Sequence, residues 1–167
     1  ELFDSEIAEA STYAGDGSAM EDTLFRQAAL LNGTLGAIMP SDDAKPEYFF
    51  LAAAPNGWQD VFASEVTKAK KIFDERFGTR GHSAVLITSS ETRETVPLAN
   101  TKNIEVALQE IGKQMDREND VLVLYITSHG NVGTVSVYLE GHTLNQITPD
   151  SLATALDNAR IKNREPF

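Results

Sequence analysis

Three apolar runs of strand length, alternating with stretches of helical period, constrain this chain more than any other feature. The runs are Tyr48-Phe49-Phe50-Leu51-Ala52-Ala53-Ala54, Ser83-Ala84-Val85-Leu86-Ile87-Thr88 and Val121-Leu122-Val123-Leu124-Tyr125-Ile126. A strand without polar alternation is one covered on both faces. After the first run, Trp58, Val61, Phe62, Val66, Ala69, Ile72, Phe73 and Phe77 recur at steps of mostly three and four. Asn56 with Gln59 resembles a capping box, and Gly78 suits the helix end. After the second run, a polar loop from Ser89 to Asn100 leads to Ile104, Ala107, Leu108, Ile111 and Met115, with Asn100 or Thr101 as the cap. After the third, Val135 to Leu139 alternates and reads as an edge or hairpin strand. Thr148-Pro149-Asp150 then opens a helix whose inner face is Leu152, Ala155, Leu156 and Ala159.

Strand and helix in turn imply right-handed crossovers and a parallel sheet between helices. The last helix has no strand to return to. The expectation is an α/β fold lacking its fourth parallel strand, in a piece cut or processed from something longer, since it opens on Glu1 rather than Met.

The 167 residues suffice for one domain with a real core. The pattern places that domain at 47–167, after an acidic leader, short helix and linker over 1–46. Residues 1–20 are acidic and rich in Ser, Gly and Ala, without period. Leu24, Ala28, Leu31 and Leu35 then mark a short helix interrupted by Asn32-Gly33, and a Ser- and Asp-rich linker runs from Pro40 to Pro46. Lys plus Arg is 14 against 25 Asp plus Glu, a formal charge of −11. Ten acids and two bases fall in 1–47, so the excess is mostly N-terminal. This balance argues against nucleic acid or an anionic membrane as partner, since both are bound by basic surfaces. The longest apolar run, near Tyr48 to Pro55, falls far below the ~18–20 residues of a membrane-spanning helix. Cysteine is absent, which removes disulfides, thiolate metal sites and a cysteine nucleophile from these residues.

In open parallel sheets, sites gather at the carboxyl ends of the strands. There the third run continues as Thr127-Ser128-His129-Gly130. A histidine leaving a buried strand toward solvent or a shallow cleft is placed to act as a general base near neutral pH. The Gly130 N–H is placed to donate to a developing oxyanion. The third strand is expected to be central in the sheet. Ser128 is no partner for His129, because neighbours along a strand point to opposite faces. His82, ahead of the second strand at the far end of the sheet, reads as a surface residue, and His142 as a loop residue. Together His129 and His142 lack a third ligand at ordinary spacing, so neither metal nor cofactor is expected. Arg80 and Arg93 lie near loops and read as solvated arginines, with bidentate recognition of a carboxylate as the alternative. No phosphate-binding glycine pattern follows any strand.

The run Val121 to Gly130 resembles the histidine motif of legumain-type cysteine peptidases. From about Leu24 to Arg164 the chain resembles the bacterial branch of that family. The resemblance is carried by Glu47-Tyr48-Phe49-Phe50-Leu51, Gln59-Asp60-Val61-Phe62-Ala63-Ser64-Glu65-Val66, Ile72-Phe73-Asp74-Glu75-Arg76-Phe77-Gly78-Thr79 and Pro97-Leu98-Ala99-Asn100-Thr101. It implies a caspase-like three-layer sandwich and a Cys/His dyad hydrolysing peptide bonds. In it His129 is the general base and Gly130 an oxyanion donor, while the cysteine follows a strand beyond Phe167. It also implies a peptide or protein substrate and an extracytoplasmic, envelope location. Without the thiolate these residues are expected to be inactive alone, and to be held by the missing segment or to self-associate. The alternative is a non-catalytic caspase-like binding module.

Overall fold

The computed structural model describes residues 20–42 and 45–162. The acidic leader expected over 1–20 lies outside them except for its last residue. The main elements are α1 (residues 20–35), β1 (Tyr48–Ala54), α2 (Asp60–Arg76), β2 (Ser83–Ile87), α3 (Thr101–Gln114), β3 (Val121–Ile126) and α4 (Pro149–Asn158). Between β3 and α4 lie two small hairpins, β4 (Gly130–Asn131) with β5 (Thr134–Val135) and β6 (Tyr138–Leu139) with β7 (His142–Thr143).

The fold is mixed α/β, built on a three-stranded parallel sheet in the order β2-β1-β3. This corrects the expectation of a central third strand: β1 is central, and β3 borders the sheet. Val121 N–H bonds to Glu47 C=O at 3.0 Å, and Thr127 N–H to Ala53 C=O at 3.1 Å. Alternate residues of β3 therefore face β1, and Leu122, Leu124 and Ile126 turn their backbone groups to the open edge.

From Phe49 to Ala54 β1 is buried on both faces because each face meets helices, whereas β3, at the border, is buried only at Leu122 and Val123 and leaves Tyr125 exposed, against the expectation of a fully covered strand. Phe49, Leu51, Ala53, Leu86 and Leu122 pack with Leu31, Leu35, Ile104, Leu108, Ile111 and Leu156 of α1, α3 and α4. Phe50, Ala52, Ala54, Ile87 and Val123 pack with Phe62 and Val66 of α2 on the other face. Phe50 and Phe73 stack with centroids 4.1 Å apart. α3 and α4 approach so closely that a Cβ on Gly112 would meet the carbonyl oxygen of Ala159.

Several local readings hold. Asn100 caps α3 by accepting Asn103 N–H at 2.8 Å. Thr148 and Ser151 form a reciprocal box at α4, with Pro149 in its first turn. Gly78 follows α2 with φ 72°, a left-handed position that glycine adopts without cost.

Others are corrected. The helix expected to break at Asn32-Gly33 runs through both to residue 35. Its inward face is Thr23, Gln27, Leu31 and Leu35, while Leu24 is exposed. Gln27 is buried because it works as a polar clasp, accepting Leu98 N–H at 2.7 Å and Asn103 Nδ2–H at 3.1 Å. In α2 only Phe62 and Val66 are buried; Trp58, Val61, Ile72 and Phe77 are exposed. No side chain caps α2, because Asn56 is used elsewhere. Val135 to Leu139 does not form one strand. It is split between two hairpins, although Val137 and Leu139 still point inward and are fully buried.

Candidate active site

The end of β3 alternates between the two sides of the sheet, as an extended chain must. Thr127 turns to α2 and donates its hydroxyl to Glu65 Oε2 at 2.5 Å. Ser128 turns away and donates to the Ser136 carbonyl at 2.7 Å, so it is occupied in holding the hairpin and not in pairing with His129. His129 returns to the α2 side, where its ring meets Phe62 edge to face, 5.0 Å between centroids at 88°. Its carbonyl accepts Ser136 N–H at 2.8 Å, which fixes the backbone beneath the ring. The imidazole itself is exposed, and among the described residues no side chain hydrogen-bonds to it.

Gly130 has a structural and a chemical side. It faces Val135 across the hairpin, and a Cβ there would sit 2.5 Å from the Thr134 carbonyl oxygen. Val135 spends its own N–H and C=O on Ile147, at 2.8 and 3.1 Å on the opposite side. Gly130 and Val135 are thus a non-hydrogen-bonded pair, and the Gly130 N–H points away from β5.

The loop after β1 completes the surface. Asn56 is 5% exposed; its Oδ1 accepts Trp58 N–H at 3.0 Å and its Nδ2 donates to Ser136 Oγ at 3.1 Å. Gly57 N–H bonds to the Tyr138 carbonyl at 2.8 Å, and Tyr138 N–H to Pro55 at 3.0 Å. The loop is therefore tied to the hairpins by two backbone hydrogen bonds and the Asn56 side chain. Trp58 is held 69% exposed beside Tyr138, with centroids 5.5 Å apart at 56°. Asn56-Gly57 was visible as a turn, but the long-range partner of Asn56 carries no local signal.

The remaining candidates separate. Arg93 is not a free carboxylate receptor: Nη1 bonds both oxygens of Glu140 at 2.8 and 2.6 Å, tying the loop after β2 to the turn of β6–β7. Arg80 is exposed. His82 lies at the far end of the sheet, but the expected surface residue is 7% exposed. Its ring stacks on Phe49 at 4.7 Å, because the segment before β1 covers the start of β2. His142 stands exposed in β7. Among the described residues no group of three His, Asp or Glu is arranged to hold a metal ion, and no helix is long and apolar enough to cross a membrane.

The grooves among the described residues include two flanking the helices. One, about 340 Å³, runs between α3 and α4 past Ile104, Leu152 and Ala155. The other, about 330 Å³, lies beside α2 at the end of β2, with Asp60, Ser89, Glu91 and Thr92. His129, which is exposed, lines neither of these two. Comparison of the chain with known protein families, curated proteins and solved structures gives no match.

Proposed function

We propose that this chain is the histidine-bearing portion of a legumain-like cysteine endopeptidase with a caspase-like three-layer sandwich. The observation that carries the reading is the pairing, at the carboxyl end of β3, of an exposed His129 with a Gly130 N–H aimed away from its hairpin. In this reading His129 is the general base and imidazolium partner of a cysteine thiolate. Gly130 N–H helps to hold the tetrahedral oxyanion. The cysteine is absent from the 167 residues. It comes from a fourth parallel strand laid along the open edge of β3, where Leu122, Leu124 and Ile126 present their backbone groups. Such a strand ends level with His129, which is the placement a dyad needs. The substrate is a peptide or protein, and no cofactor takes part.

The test is peptide cleavage by the full-length parent: His129→Ala should lower kcat/KM by roughly 10²–10⁴-fold, the usual weight of general acid–base assistance. A second reading is a non-catalytic caspase-like binding module, in keeping with an exposed His129 to which no side chain among the described residues hydrogen-bonds. A parent with no cysteine at the end of the fourth strand would select it.

A further inference from the structure

The His129 carbonyl and the Gly130 N–H belong to one peptide group, which is trans and planar, so the two point in opposite directions. Whatever holds the carbonyl therefore aims the N–H. Ser136 holds it, donating its N–H to the His129 carbonyl at 2.8 Å. A lock is needed at this bond, because Gly130 lacks the Cβ that ordinarily restricts rotation of the adjoining peptide plane.

We propose that Ser136 is the positioning residue of the strand-end site, aiming the Gly130 N–H at the oxyanion of a peptide substrate. The proposal rests on the peptidase reading for the oxyanion, and adds what keeps its donor in line. Each polar group of Ser136 is engaged. Beside the N–H, its carbonyl accepts the Ser128 hydroxyl at 2.7 Å, and its Oγ accepts Asn56 Nδ2 at 3.1 Å. Its neighbours are fixed as well: Val135 exchanges two hydrogen bonds with Ile147, and Val137 is fully buried. The buried Asn56 amide finds its acceptor in the Ser136 hydroxyl, so this side chain ties the peptide lock to the loop after β1. A donor aligned in advance needs no reorganisation when charge develops on the substrate oxygen.

Ser136→Ala removes the acceptor of the Asn56 amide and keeps the backbone donor, whereas Ser136→Thr keeps both. The experiment follows the 167-residue chain and these variants by amide NMR. In the alanine variant, exchange of the residue-136 amide proton should quicken roughly 2- to 10-fold, the usual weight of one hydrogen bond, and the Gly130 amide resonance should move. The threonine variant should match the unsubstituted chain in both. The His82 amide, at the far end of the sheet, should move in neither. Should the alanine variant fail to fold, Ser128→Ala, which removes the bond to the Ser136 carbonyl, is expected to give the same two changes. In the longer protein that the peptidase reading requires, Ser136→Ala should lower kcat roughly 3- to 30-fold with KM unchanged, short of the 10²–10³-fold for loss of a whole oxyanion donor. An unmoved Gly130 resonance, or a threonine variant that behaves like alanine, overturns the proposal. A raised KM with kcat unchanged overturns it as well. A displaced Gly130 amide with both constants unchanged counts instead against Gly130 as an oxyanion donor, and so against the peptidase reading.

Discussion

The ring of Phe62 stands edge to face against the imidazole of His129, joining the first turn of α2 to the end of β3. Such pairs contribute about 0.5–1.5 kcal/mol beyond their buried area, so Phe62 holds the histidine as well as filling the core. Phe62→Leu should shift the His129 ring resonances by NMR and leave those of the exposed His142 in place. Unmoved His129 signals would mean that the contact does not persist in solution.

Gly130 is required by its neighbours rather than by its backbone angles. A methyl group there must displace the Thr134 carbonyl, which is main chain and yields poorly. Gly130→Ala should lower stability by about 1–3 kcal/mol, the range for forced overpacking, with amide shifts confined to 127–137. Denaturant unfolding combined with an amide correlation spectrum checks both parts.

Asp74 gives the fold an acid-sensitive joint. Burial pushes its carboxyl up, but hydrogen bonds from Lys70, Ser83 and Thr79, with the Lys70 charge, outweigh this and hold it below the ordinary value of 3.8. The bonds measure 2.6, 2.6 and 2.8 Å and fasten the end of α2 to the start of β2. Because the folded value is the lower one, the stabilisation is complete above 3.8 and is lost as pH falls through the folded value. Urea midpoints should therefore separate Asp74→Asn from the parent sequence at pH 7 and bring the two closer at pH 2–3. A constant gap across that range would contradict the assignment.

Asp120 is fully buried, with Oδ1 accepting Glu47 N–H at 2.8 Å and Oδ2 accepting Asp116 N–H at 2.7 Å. It clasps the entries to β1 and β3 at the end of the sheet remote from His129. Asp120→Ala removes the acceptor of two half-buried amides and should lower stability by about 1–3 kcal/mol in all, seen as a lower Tm. Trp58 emission, at the other end, should not change.

The three strands were legible because each is a run of apolar residues too long for a loop and too short for a helix. The caps of α3 and α4 were legible because a hydroxyl or amide precedes the first turn. What escaped was decided by partners distant in sequence. Gln27 is buried because Leu98 and Asn103, over seventy residues away, need an acceptor. His82 is buried because Phe49 offers it a stacking face. Asn56 fails to cap α2 because Ser136 and Trp58 engage its amide. Helical spacing named too many inward residues in α2, since the sheet fully covers only Phe62 and Val66 and partly covers Ala69 and Phe73, leaving Val61 and Ile72 exposed. Of the candidate site, His129 and Gly130 could be placed from the sequence; the Phe62 contact and the Asn56–Ser136 tie could not.

The proposed activation of a cysteine by His129 is tested most directly by the rate at which an electrophilic peptide labels the longer protein that the proposal requires. Cysteine-dependent labelling should fall roughly 10²–10⁴-fold on His129→Ala, and none should occur in the 167-residue chain, which has no thiol. Equal labelling by the parent and its His129→Ala variant, or peptide hydrolysis by the 167 residues alone, would contradict it.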